Sequence, residues 1–132
     1  MYLIDTDTCI SFMKRQASVV EKVQANRSKG IYLSAISLAE LEYGVTKSLP
    51  VRRQENILLL NRLLTIIPTL HFGISETAEY SRIRTYLELN KKQIGSLDTL
   101  IAAHALSQSL TLVTSNTEEF GRVPYLKIVN WL

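Results

Sequence analysis

Asp5 follows directly on the apolar run Tyr2-Leu3-Ile4, and Asp7 stands two residues further on. Glu40 lies in the first turn of a helix that the S-x-x-E spacing of Ser37-Leu38-Ala39-Glu40 predicts. Asp98 lies in the first turn of a helix predicted from Ser96, and Asn116, Glu118 and Glu119 lie in the turn after Thr111-Leu112-Val113-Thr114. In an open parallel sheet the strand ends and the N-termini of the following helices share one edge, and that edge binds ligands. Asp5, Glu40 and Glu119 fall on it directly, and Asp98 joins them if its helix starts there. A carboxylate behind a buried strand is costly unless donors or a cation meet it, and several together repel one another. Mg²⁺ or Mn²⁺ would relieve both, because hard cations take oxygen ligands and keep several waters. Such an ion lowers the pKa of a water and neutralises charge on a phosphoryl oxygen, so the residue types point to phosphodiester or phosphate chemistry. Glu40 and Glu119 also fit a purely structural reading, as capping-box partners of Ser37 and Asn116.

The elements that must position these groups alternate along the chain. Strands are expected at Tyr2–Ile4, Ile31–Ser34, Thr111–Thr114 and Lys127–Val129, with a brief extended piece over Ile66–Leu70 that Pro68 assigns to an edge. Helices are expected over Thr6 to Arg27, Ser37 to Lys47, Arg52 to Leu64, Ser75 to Asn90 and Ser96 to Ser109, with Pro50 breaking the chain between the second and third. The strands are short and continuously apolar, as in a parallel sheet covered on both faces. The expected fold is therefore a three-layer α/β/α arrangement around about five parallel strands.

At 132 residues the chain fits one domain, residues 1–132. With 46% hydrophobic and 20% charged residues it can form a compact core. The net charge of +3 is compatible with a nucleic-acid partner without demonstrating one. The single cysteine, Cys9, excludes an internal disulfide and a cysteine-rich zinc site, and fits a cytoplasmic protein. No window approaches the ~18 apolar residues of a membrane span, and no leader segment is expected. Nucleotide-binding loops of the G-x-x-x-x-G-K-[ST] and G-x-G-x-x-G types and the H-E-x-x-H zinc motif are absent.

Between Tyr80 and Ser96 the cations Arg82, Arg84, Lys91 and Lys92 face only Glu88, and Tyr80 and Tyr86 interleave with them. A surface gripping a nucleic-acid backbone next to Asp98 is one reading, and a solvated helix face the other. Thr6 and Thr114 are placed to hold carboxylates or water by hydrogen bonds. His104 reads as a packed histidine, and Cys9, close to negative charge, as an unreactive thiol.

The motifs match a known pattern. The chain resembles PIN-domain ribonucleases, most closely the VapC toxins of toxin–antitoxin pairs. Tyr2-Leu3-Ile4-Asp5-Thr6-Asp7-Thr8-Cys9-Ile10 is similar to that family's opening, and Leu33 to Gly44 to its "SSIT-x-x-EL-x-YG" stretch. Ile94 to Ala105 resembles its "D-x-x-IA-x-HA" helix, and Val113 to Phe120 its "VT-x-N-x-x-EF" turn. The blocks come in family order across essentially the whole chain. Asp7 replaces a usual asparagine, and Asn116 stands where many PIN domains carry aspartate. The resemblance implies an acidic pocket of Asp5, Glu40, Asp98 and the Asn116/Glu119 turn, with Asp5 and Asp98 as the chief metal ligands. It implies metal-dependent endonucleolytic cleavage of RNA leaving 5′-phosphate and 3′-hydroxyl ends, with initiator transfer RNA as the substrate of the nearest subgroup. It also implies a homodimer neutralised by a VapB-type antitoxin lying across the helices near Leu41 to Leu64.

Two other readings compete. Asp5-Thr6-Asp7 resembles the D-x-D start of haloacid-dehalogenase-type phosphatases, whose first aspartate is a nucleophile, but Cys9 replaces the threonine usual there. A receiver-type signalling domain also gathers aspartates, but it ends a late strand in lysine where this chain has Thr114-Ser115-Asn116. A PIN fold that binds RNA or a partner without cutting is a third possibility.

Overall fold

A computed structural model describes all residues, Met1 to Leu132. Five strands, β1 (Tyr2–Ile4), β2 (Ile31–Ser34), β3 (Thr69–Leu70), β4 (Thr111–Val113) and β5 (Ile128–Val129), form one sheet in the order β3-β2-β1-β4-β5, with every pairing parallel. Seven helices connect them: α1 (Thr6–Met13), α2 (Ala17–Asn26), α3 (Ala35–Thr46), α4 (Pro50–Ile66), α5 (Ile74–Leu89), α6 (Ser96–Ser107) and α7 (Thr117–Phe120).

The continuous apolarity of the strands is explained by burial on both faces. Adjacent β1 residues part company: Leu3 joins a core with Ile83, Leu87, Ile101, Leu112 and Phe120, while Ile4 joins one with Val19, Val23, Leu33, Leu63 and Val113. The period-two alternation of a strand thus feeds two cores. One is roofed by α1, α2, α3 and α4, the other by α5, α6 and α7. This is the expected three-layer α/β/α architecture with about five short parallel strands.

The strand order places the site. From β1 the chain steps outward to β2 and β3, then returns to lay β4 on the opposite flank of β1. The reversal opens a crevice between the C-terminal ends of β1 and β4, where sheets of this kind bind ligands.

Several boundaries differ from the sequence expectation. The helical region from Thr6 to Arg27 is two helices split at Lys14–Gln16, where Arg15 takes φ 59°, and it ends in a 3₁₀ turn. Gly30, at φ 89°, then turns the chain into β2, and a side chain there would meet Met1 and the Tyr32 ring at 3.2 Å. Pro50 does not break the chain but starts α4, because its missing N–H costs nothing in a first turn. The helices expected from Ser75 and Ser96 are capped one or two residues earlier, by Gly73 and Gly95. The cap of α3 is Ser34, not Ser37: the Ser34 hydroxyl accepts from Ile36 N at 3.0 Å, and Ser37 is buried inside the helix.

Candidate active site

Asp5 is set by β1. Three parallel pairings on each side, to β2 and β4, hold the strand, and Asp5 is the first residue beyond it. Its carboxylate caps α1, accepting from Thr8 N at 2.8 Å, and its own N–H donates to Val113 O at 3.0 Å. Only 4% of it is exposed. Burial pushes its carboxyl pKa up, the nearby hydroxyls of Thr114 and Thr8 and the Thr8 N–H pull it down, and Asp7 adds repulsion.

Asp98 sits in the first turn of α6. This helix runs back along the sheet into β4, so its N-terminus lies at the strands' C-terminal edge, the condition left open above. The Asp98 pKa is raised from 3.8 to about 6, first by burial and then by Glu119, Glu40, Asp5 and Asp7 in that order. Carboxylates from four separate segments therefore act on one another at a single rim.

Glu40 reaches the rim from α3. Its Oε1 accepts from Thr6 Oγ1 at 2.6 Å, tying the start of α1 to the second turn of α3, where Glu40 sits because the helix begins at Ala35, earlier than the sequence suggested. The capping-box reading of Glu40 fails, because Ser34 caps that helix and Glu40 has turned to Thr6. Glu119 is held by Asn116, whose Nδ2 donates to Glu119 Oε2 at 2.9 Å. Thr114 accepts from Asn116 N at 3.0 Å, which shapes the turn between β4 and α7. Thr114 thus serves both Asp5 and the Asn116 turn.

The donor set suits a hard cation. The rim offers carboxylate, amide and hydroxyl oxygens, with no histidine or thiolate among them. Its negative charge has no protein counter-ion: the ion pairs of the structure join Arg82 to Glu79, Arg84 to Glu88 and Arg122 to Glu118. No three His, Cys, Asp or Glu side chains are gathered closely enough to ligate one ion as they stand. Mg²⁺ is commonly held by one or two carboxylates and keeps its remaining waters, so a closed cage of protein ligands is not required.

The other candidates divide. Arg82 donates to Glu79 at 2.6 Å, and Arg84 to Glu88 at 2.7 Å and to the Tyr80 hydroxyl at 3.0 Å. Lys91 and Lys92 are exposed and form no ion pair. His104 is fully buried; its Nδ1 shares a 2.8 Å hydrogen bond with Ser34 Oγ, and Phe72 packs edge-on at 5.4 Å. Burial lowers its pKa, as for a neutral core histidine. Burial, then Asp5, pushes the Cys9 thiol well up, leaving it inert.

Two residues that the sequence reading passed over are well defined. Glu76, 1% exposed, accepts from Gly73 N at 2.7 Å, Ser75 Oγ at 2.8 Å, Ser107 Oγ at 3.1 Å and Gln108 Nε2 at 2.7 Å. It locks the start of α5 to the end of α6. Arg122 donates to Gln93 O at 3.1 Å, tying the segment that leads into Asp98 to the end of α7. The signal for Glu76 was only its place near a helix start; for Arg122 there was none.

A parallel α/β/α sandwich with a carboxylate rim at its switch point is the class of structure that handles phosphate chemistry through a bound cation. A family model described as "PIN domain" matches residues 2–125. The chain is 36% identical to Ribonuclease VapC2 of Rickettsia felis, with 99% of this chain and 98% of that one covered. It is 34% identical to the tRNA(fMet)-specific endonuclease VapC of Shigella flexneri, over 98% of this chain and 97% of the relative. It superposes on the crystal structure of VapBC2 from Rickettsia felis bound to a promoter DNA fragment with a TM-score of 0.94, at 35% identity and 99% and 98% coverage. The chain belongs to the PIN-domain family, in its VapC branch. The phosphatase and receiver readings of Asp5-Thr6-Asp7 fall with that membership.

Proposed function

We propose that the protein is a metal-dependent endoribonuclease, the toxin of a VapBC-type toxin–antitoxin pair, which cleaves transfer RNA. The observation that carries this is the uncompensated carboxylate rim: Asp5 at the end of β1, Glu40 held by Thr6, Asp98 in the first turn of α6 and Glu119 held by Asn116, with no ion pair to any of them. The specificity printed for the Shigella relative supports initiator transfer RNA as the substrate.

Asp5 and Asp98 hold a divalent cation, Mg²⁺ or Mn²⁺. The chemistry such a cation supplies is a lowered water pKa and neutralisation of charge on the phosphoryl oxygen. Glu40, fixed by Thr6, orients the attacking water and accepts its proton. Glu119, held by Asn116, completes the acidic rim, and Thr114 keeps Asp5 and the Asn116 turn in register. Asp7 adds charge at the mouth. Attack at the scissile phosphorus leaves a 5′-phosphate and a 3′-hydroxyl. The antitoxin lies along α3 and α4, where Ile10, Leu41, Val45 and Leu59 line a recess that also contains Glu40. The toxin acts as a homodimer in the cytoplasm, and no helix is long and apolar enough to cross a membrane.

The test is incubation with total transfer RNA in Mg²⁺ or Mn²⁺, against EDTA and the variants Asp5→Asn and Asp98→Ala. Cleavage that needs the metal and is lost in both variants supports the proposal. Binding without cleavage would favour a passive RNA-binding module, and neither binding nor cleavage would end the RNA reading.

A further inference from the structure

We propose that Lys91, Lys92 and Arg122 form the subsite that grips backbone phosphates of the RNA beside the carboxylate rim; this rests on the nuclease reading above. With Glu118 and Gly121 they line an open cleft of about 550 Å³ with no apolar side chain. Three cations against one carboxylate leave the cleft positive on a face whose neighbour, the rim, is negative. Glu118 weakens it little, because its side chain is 87% exposed and meets Arg122 only at 3.4 Å. A wholly polar, cationic cleft suits a polyanion and offers nothing to an apolar peptide or a membrane.

The cleft's two walls lead straight to the candidate catalytic groups. On one side Arg122 N donates to Glu119 O at 3.1 Å. On the other, Arg122 Nη1 holds Gln93 O at 3.1 Å, in the segment running from Lys92 to Asp98. The cleft therefore adjoins both segments that carry rim carboxylates. Arg82 and Arg84, by contrast, are engaged by Glu79 and Glu88 on their own helix.

Lys91 also closes α5, as Arg15 closes α1 and Ser109 closes α6. It occupies the left-handed position that ends α5, at φ 54°. Lys91 N donates to Glu88 O at 3.2 Å and Lys92 N to Leu87 O at 2.8 Å, the Schellman pattern, in which glycine is the favoured residue.

The test is fluorescence anisotropy of a fluorescein-labelled RNA hairpin in EDTA, where no cleavage occurs, across a salt series. For Lys92→Ala/Arg122→Ala we expect affinity to fall about tenfold and the slope of log affinity against log salt to become shallower by about 0.7 per cation removed. Lys91→Gly should also weaken binding while its melting temperature stays level or rises, which separates the role from a folding defect. Arg82→Ala/Arg84→Ala should bind as wild type does. Unchanged affinity and slope in the cleft variants would overturn this subsite and leave the nuclease reading intact. Failure of the wild type to bind the hairpin would overturn both.

Discussion

Thr6 Oγ1 donates a 2.6 Å hydrogen bond to Glu40 Oε1 across 34 residues of sequence, joining the helix after β1 to the helix after β2. A glutamate has three side-chain torsions, and this bond removes most of that freedom at the point where a water must be oriented. Thr6→Val keeps the shape and removes the donor. We expect kcat on transfer RNA to fall about 10- to 100-fold with little change in KM or melting temperature, and Thr6→Ser to restore most of it. Steady-state kinetics on the three proteins decide it; a loss confined to KM would assign Thr6 to substrate binding instead.

Repulsion at the rim has a cost in the metal-free protein. The Asp98 pKa is about 6 in the fold against an ordinary 3.8, so the folded state holds the Asp98 proton more tightly than the unfolded chain does. The penalty is absent below the ordinary value, grows as pH rises toward 6, and is constant above it. Asp98→Asn should therefore stabilise the metal-free protein at pH 7, by on the order of 1 kcal/mol after solvent screening, while abolishing cleavage. Thermal melts in EDTA should show the gap closing as pH falls toward 4. A variant less stable than wild type at pH 7 would mean the rim carboxylates do not strain the fold.

Glu76 behaves in the opposite sense. Its four donors lower its pKa from 4.5 to about 2 despite burial, so its contribution to stability is full above 4.5 and is lost as pH falls through 2. Glu76→Gln should destabilise the fold at pH 7 by on the order of 2 kcal/mol, because an amide cannot accept all four bonds. Urea titrations at pH 7 and pH 2.5 should show that difference shrinking in acid; a constant difference would mean the carboxylate charge is immaterial.

Cys9 is buried under the first turn of α1, and its thiol pKa is raised. A thiol-specific disulfide reagent should leave it untouched in the native protein and modify it fully in denaturant. Rapid modification of the folded protein would show that the β1 end of the sheet opens readily.

The inner strands β1, β2 and β4 were legible because each is a short, largely apolar run that ends at a polar residue, as burial on both faces requires. The acidic residues were legible for a related reason: Asp5 and the Asn116 turn follow strands and Asp98 begins a helix, positions that a parallel sheet brings to one rim; Glu40, expected in a first turn, lies instead in the second turn of α3. What stayed hidden depended on partners far apart in the chain. Ser37 alone has the S-x-x-E spacing to Glu40, and only the end of β2 at Ser34 moves the cap one turn earlier. Glu76 finds Ser107 and Gln108 more than thirty residues away. The pairing of Arg84 with Glu88 is a local one-turn spacing that was readable, whereas Glu79, which holds Arg82, lies just before the window from which the basic stretch was counted. Arg122 gains its role only when α7 packs against the Gln93 segment.

The central claim, that the rim of Asp5, Glu40, Asp98 and Glu119 holds a divalent cation through Asp5 and Asp98, is tested most directly by titrating the metal-free protein with Mn²⁺ and following free ion by electron paramagnetic resonance. Asparagine at position 5 preserves the cap of α1, so Asp5→Asn and Asp98→Asn can be compared with wild type as folded proteins. We expect saturable binding by wild type that weakens at least about tenfold in each variant and declines in wild type as pH falls below 6. Mn²⁺ binding that is equally strong in both variants, or absent from wild type, would contradict it.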